Sequence, residues 1–265
     1  SEDRLLEVLK QVINEQQLDQ ASTTIILPQN KYETTQIEKS EMPDADPEVA
    51  LPWKVKDLIN IPPQDMICDF VEQSLQPTGQ QPKYQIVATS RNYLQKVIEP
   101  FHEQGAEIAA ITTEQFAIAK LQETKNAAQL VYIQRKKADG ILLIVKNQEI
   151  CFGRKIRNTS GVIEMTPEQL QMGGSDTIAL EIQRSIDFYE SQLKQPPIKN
   201  ALIAMEGDNA EVLVTEMNKV LPVKSKLIPL TNIKTDTPID SKFIAAVGAT
   251  IYSQPFKLEE VADEK

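Results

Sequence analysis

The sequence predicts an α/β protein built as two lobes. Three observations lead there. A length of 265 residues suits one large domain or two lobes of ordinary size. Hydrophobic residues make up 41% of the chain, enough to fill a buried core. Strand-like and helix-like stretches alternate, and the second half reads as three antiparallel strands followed by helix, strand, helix, strand, helix.

Leu5, Leu6, Leu9, Val12 and Ile13 have helical spacing, and Ser1 with Glu2 and Asp3 suits a helix start. TTIILP (23–28) is a short buried strand stopped by Pro28, and YETTQIE (32–38) alternates like a half-exposed strand. An acidic, proline-marked loop leads to a helix over ALPWKVKDLI (50–59), capped by Asp46 with Pro47 at its first position. MICDFVEQSL (66–75) and KYQIVATS (83–90) are strands joined by the turn-rich QPTGQQP. A helix over 91–105 closes at Gly105, a strand covers 106–112, and a helix covers 114–125. This stretch reads as a small α+β insertion with a sheet on one side.

The second half opens with LVYIQRKKADGILLIV (130–145), two strands whose turn carries Arg135, Lys136 and Lys137. Residues 150–156 add a third strand. A long helix over 167–193 is interrupted at Gly173–Gly174. A buried strand (200–207), a helix capped by Asp208 or Asn209 (208–221), a strand (225–230) and a small-residue helix (241–252) complete the order. That order outlines one ribonuclease H-like lobe.

Composition excludes several functions. A net charge of −10 argues against nucleic acid, whose phosphates need a basic surface. Cys68 and Cys151 read as buried reduced thiols of a cytosolic protein. With His102 as the single histidine, a zinc cluster or a Ser–His–Asp triad lacks material. No apolar run reaches the roughly 20 residues that span a bilayer, and no signal peptide is visible. The chain opens on Ser1, so further sequence is expected before it.

ALPWKVKDLI, the IPP turn before MICDFVEQ, and EIQRSIDFYESQL resemble the actin-like assembly proteins of type IV pilus and type II secretion machines, the family of PilM and the cytoplasmic part of GspL. The resemblance covers nearly the whole chain, and WKVKDL and QRSIDFYES are its most specific parts. It implies an actin-like fold of the FtsA/PilM type: a first lobe over 1–128 with an inserted α+β subdomain at about 32–105, and a second ribonuclease H-like lobe over 129–265. It implies a cytoplasmic place at the inner membrane, by peripheral association, as a scaffold of the assembly platform. The implied partner is the N-terminal tail of a bitopic PilN-like (MshJ-like) protein, held in a groove between the first lobe and the insertion. The pilus motor ATPase or the platform ring is a further implied contact.

ATP-binding relatives use two phosphate hairpins and a glycine-rich adenosine turn. The first hairpin would lie before Ser1. The second usually carries Asp-x-Gly: the carboxylate organises Mg²⁺ and the glycine admits backbone N–H groups to phosphate. Here Gln134 stands at the Asp position and Lys136 at the Gly position. The adenosine turn is reduced to Glu206-Gly207-Asp208, with carboxylates where phosphates would come. These departures read as a pseudo-ATPase, not an enzyme, with no catalytic residue, no cofactor and no metal expected. The alternative is an actin-like ATPase of the same machinery, to which ATP and Mg²⁺ would belong. A sugar-kinase-type enzyme needs a catalytic Asp beside a glycine-rich turn, and none is found.

Arg135, Lys136 and Lys137 have three readings: a solvated turn, a metal-free anion site, or, enlarged by Arg154, Lys155 and Arg157, a patch for anionic lipid or a partner. Trp53 reads as packing or as an aromatic anchor for the partner, with Lys54 and Lys56 to meet an acidic tail and Phe116 as a second groove candidate. Asp187 and Glu190 have the spacing of paired carboxylates, with no second pair near them in sequence.

Overall fold

A computed structural model of the chain describes residues 2–18, 21–43, 46–122, 127–230 and 239–251. Among these, the elements run α1 (Glu2–Glu15), β1 (Ser22–Leu27), β2 (Tyr32–Glu38), α2 (Pro47–Lys54), β3 (Met66–Glu72), β4 (Lys83–Ser90), α3 (Arg91–Glu103), β5 (Glu107–Thr113) and α4 (Glu114–Lys120). They continue with β6 (Gln129–Gln134), β7 (Gly140–Lys146), β8 (Glu149–Ile156), α5 (Pro167–Gln169), α6 (Asp176–Asp187), β9 (Asn200–Met205), α7 (Ala210–Val220), β10 (Lys224–Leu227) and α8 (Ile244–Ala249). The charged tail at 257–265 lies outside the described residues.

The largest sheet has the order β10-β9-β6-β7-β8. β6, β7 and β8 are antiparallel neighbours, while β9 runs parallel to β6 and β10 parallel to β9. Its central strands are apolar on both faces because helices cover both. On one face Leu130, Tyr132, Leu142 and Ile203 pack under α6 and α7. On the other, Val131, Ile133, Leu143 and Leu202 pack under α4 and α8. Gly248 sets the α4–α8 crossing: a Cβ there would stand 2.0 Å from the Ala117 carbonyl oxygen.

β1 and β5 form a parallel pair. Ile25 and Leu27 pack against Ile13 of α1 and against Leu94, Val97 and Phe101 of α3. By packing, α3 therefore sides with β1 and α1. The third sheet, β2-β4-β3, is antiparallel. Its alternating pattern buries Ile37, Met66, Cys68, Ile86 and Ala88 beneath Leu51 and Val55 of the α2 segment.

One helix departs clearly from the sequence reading, and several others are shorter than it. α2 begins at Pro47 and ends at Lys54, not at residue 59; Val55 already leaves helical geometry, and Leu58 and Ile59 continue as turns bonded to the Val55 carbonyl. Asp46 is its N-cap by position, but its side chain makes no capping bond. The long helix over 167–193 is broken as expected, at Met172 and Gly173 (φ 102°), and α6 ends in a wide π-turn over Phe188–Gln192.

Candidate functional site

Where β6, β9 and α8 converge with β1 and α4, a cleft of about 830 Å³ opens between the lobes. The β6–β7 turn supplies Arg135 to Asp139; Lys155, Glu206, Glu114, Lys242 and the Pro28–Asn30 segment complete much of its wall. The turn is braced from inside. The Gln134 side chain is fully buried. Its Nε2 donates to the carbonyls of Ala138 (2.7 Å) and Arg135 (3.2 Å), and its Oε1 accepts from the Tyr132 hydroxyl. Gly140 is required beside it, since a Cβ would meet the Tyr132 ring at 2.7 Å. The amide is thus spent on its own hairpin.

The anion position at the turn is also engaged. The Lys136 backbone N–H donates to Glu206 Oε2 at 2.8 Å. Glu206 reaches it from the end of β9, and its own N–H donates to the Gln134 carbonyl at 3.1 Å. Gly207 follows with φ +89°. A side-chain carboxylate of the protein therefore occupies this backbone donor of the turn.

Arg135 points back into the molecule. Its Nε donates to Glu114 at the start of α4, and its Nη1 donates to the Ser241 carbonyl at 3.1 Å. Burial raises the Glu114 carboxyl pKa above its ordinary range, and the adjacent guanidinium opposes that rise. This pair links the second-lobe hairpin to α4, and Gln29 Nε2 adds a bond to the Asp139 carbonyl at 3.3 Å.

A second concavity of about 400 Å³ lies between the β3–β4 side of the small sheet and the β5–α4 junction. Its wall is apolar, with Leu27, Ile67, Val87, Leu94, Ile111 and Phe116, and Asp69 is its one carboxylate. Two strand edges flank it. Among the described residues β3 pairs with β4 alone, and β5 with β1 alone. Each therefore has one edge without a strand partner among the described residues.

The fold superposes on a chain of the PilM–PilN type IV pilus biogenesis complex with a TM-score of 0.64 at 16% identity, covering 95% of this chain and 85% of that one. It superposes on a Bacteroides thetaiotaomicron protein of actin-like ATPase fold and unknown function with a TM-score of 0.50 at 11% identity, covering 93% of this chain and 81% of that one. The fold is actin-like. The cytoplasmic domain of EpsL, an inner membrane component of the type II secretion system of Vibrio cholerae, superposes at 0.46 with 12% identity, covering 93% of this chain and 80% of that one. No protein-family profile and no curated protein matches the sequence.

Within the actin-like frame the sequence candidates separate. The six cations do not form one patch: Arg135 is tied to Glu114, and Arg154 turns to the α6 side, where it pairs with Glu181 and donates to the Ser185 hydroxyl at 3.0 Å. Alternation along β8 is the cause, since Lys155 projects to the opposite face, 3.8 Å from Asp139 in the cleft. Lys136, Lys137 and Arg157 are exposed. Phe116 lines the groove. Trp53, Lys54 and Lys56 are exposed on the α2 side, across the small sheet from that groove, and Lys54 pairs with Glu41. Asp187 accepts from Gln183, and Glu190 accepts the Ile198 N–H, so both carboxylates serve local structure. Asn209 caps α7 by position while its side chain bonds the Met165 carbonyl. Among the described residues no group of three or more metal-ligating side chains occurs. Sequence reasoning missed Glu114, Ile67, Val87 and Ile111; the signal for the last three was apolar side chains on both faces of β3, β4 and β5.

Proposed function

We propose that the chain is a catalytically idle actin-like scaffold of a type IV pilus inner-membrane platform, of the MshI type found in the mannose-sensitive haemagglutinin pilus. It works on the cytoplasmic side, associates peripherally with the membrane, and takes the N-terminal tail of a PilN-like (MshJ-like) membrane protein. The pilus motor ATPase or the platform ring contacts its outer faces. The observation that carries this reading is the apolar groove between two open strand edges. An extended tail laid there gains main-chain bonds from the edges and side-chain burial against Ile67, Ile111 and Phe116. Asp69 favours a tail with a basic residue rather than an acidic one. The likeness to a chain of the PilM–PilN complex supports the choice of partner.

In this reading the cleft is degenerate. Metal-bound triphosphate needs a carboxylate aimed at the cleft and a bare backbone; Gln134 is turned inward and Glu206 covers the donor. The test is fluorescence anisotropy with a labelled tail peptide of the PilN-like partner. The chain is expected to bind it, and Ile111→Asp with Phe116→Asp to lose at least tenfold in affinity. A peptide that binds both forms equally sinks the groove assignment. The ATPase alternative draws on the open 830 Å³ cleft and its lysines. A melting temperature raised by many degrees with ATP and Mg²⁺, and not with ATP and chelator, would establish it instead.

A further inference from the structure

We infer that the outer pole of the second lobe is a docking surface for a bilayer of anionic phospholipid. The topology assembles it. β9 and β10 are parallel and their C-terminal ends face the cleft, so their N-terminal ends form the far pole of the lobe. Lys199, just before β9, and Lys224, at the start of β10, are direct neighbours: the Lys224 N–H donates to the Lys199 carbonyl at 3.0 Å. The end of α7 is bound to the same spot, because Asn218 exchanges hydrogen bonds with Ser225 at 2.8 and 2.9 Å. That places Lys219 and the exposed Val220 beside them. The β7–β8 turn brings Lys146 to the same end, since β7 runs antiparallel to β6 and β6 parallel to β9, and Lys194 lies in the connection that leads from the α6 segment to Lys199 and β9.

Lys146, Lys194, Lys199, Lys219, Lys224 and Lys226 thus share one end of a chain whose net charge is −10. Among the described residues the carboxylates nearby are Glu149, Glu190 and Glu216, of which Glu190 accepts the Ile198 N–H and Glu216 pairs with Lys219. Among the described residues the pole is net positive. In the field of an anionic surface such a charge separation turns the pole inward and the acidic body outward. The lysines stand on strand starts, along β10 and at helix ends, around exposed Val220. A layer of mobile headgroups meets such a spread of separate flexible cations, and a single shaped ligand does not. Lysines near helix C-termini also favour the local dipoles, a role that affects stability alone and that vesicle binding separates.

The inference rests on the reading of the chain as a membrane-platform component. Its test uses the whole chain, without tail peptide, sedimented with vesicles of phosphatidylcholine alone or mixed with phosphatidylglycerol. Co-sedimentation is expected with the anionic vesicles only, and release as salt rises. Lys199→Glu, Lys224→Glu and Lys226→Glu together are expected to lower vesicle affinity roughly a hundredfold while tail-peptide binding persists; each Lys→Gln single variant, with its melting temperature as a fold control, roughly fivefold. Equal sedimentation with both vesicle types overturns the proposal. So does a loss confined to Lys137→Glu with Lys155→Glu, which would move the lipid contact to the cleft lip. Self-association without vesicles that the triple reversal abolishes overturns it in favour of a second copy of the chain. Tail binding without vesicle binding refutes this inference alone; vesicle binding without tail binding refutes the groove.

Discussion

Gln134 shows how one buried side chain can stabilise a turn. Its two amide donors hold the carbonyls of Ala138 and Arg135, and its oxygen takes the Tyr132 proton. Gln134→Asp therefore restores no metal site. The shorter side chain would leave a buried carboxylate facing carbonyl oxygens. The expected loss is about 3 kcal/mol of stability, measured by urea denaturation, with no thermal stabilisation by ATP and Mg²⁺. The cysteines give a pH signature. Burial pushes the Cys68 thiol from 9.0 up to about 11 and raises Cys151 as well. The fold holds the neutral thiol, and the unfolded chain ionises first. This stabilisation is full below pH 9 and declines as pH rises towards 11. Tyr32, raised from 10.0 to about 12, joins later by the same sign. Replacing both cysteines with Ala should flatten the stability slope between pH 9 and 10; an unchanged slope would mean that these thiols do not ionise on unfolding.

At the scale of elements, the α4–α8 crossing is the tightest joint. The Ala117 carbonyl is backbone and cannot swing aside for a methyl group at Gly248. Gly248→Ala is expected to force the helices apart and cost about 2–3 kcal/mol, read as a lower urea midpoint at unchanged slope. The small-residue run IAAVGA announced this close approach in the sequence. β2 and β4 were legible to the residue because alternation and turn residues agree there. α2 was not. Leu51, Val55 and Ile59 keep helical spacing in sequence, yet Leu51 and Val55 are buried from the helix and its exit, and Ile59 is buried from the turn that follows. Of the site, the identities of Gln134 and Lys136 were legible as letters. Where Glu206, Arg135 and Arg154 would point was not, because their partners lie 21 to 106 residues away.

At the scale of the molecule, the lobes share cores unequally. The large sheet is packed on both faces, and α4 ties the first lobe to one of them. The β2-β4-β3 sheet has a smaller cluster of its own, and its other face borders the open groove. Trp53 sits on the α2 side of that sheet and is the single tryptophan, so its fluorescence reports the small sheet while circular dichroism reports the whole. The fluorescence transition in urea is expected to precede the dichroism transition. A bound tail peptide should bring the two together, because a ligand stabilises the unit that holds it. Coincident transitions without peptide would show that the small sheet does not yield first.

The Glu206 bond to the Lys136 N–H has a consequence for timing. An actin-type machine changes shape when it trades one nucleotide for another. Under the proposed scaffold reading, a protein that carries its own counter-charge in that place has no fuel to exchange and no spent product to expel; its state is then set by whether its membrane neighbours are docked, and the rhythm of extension and retraction comes from a motor elsewhere.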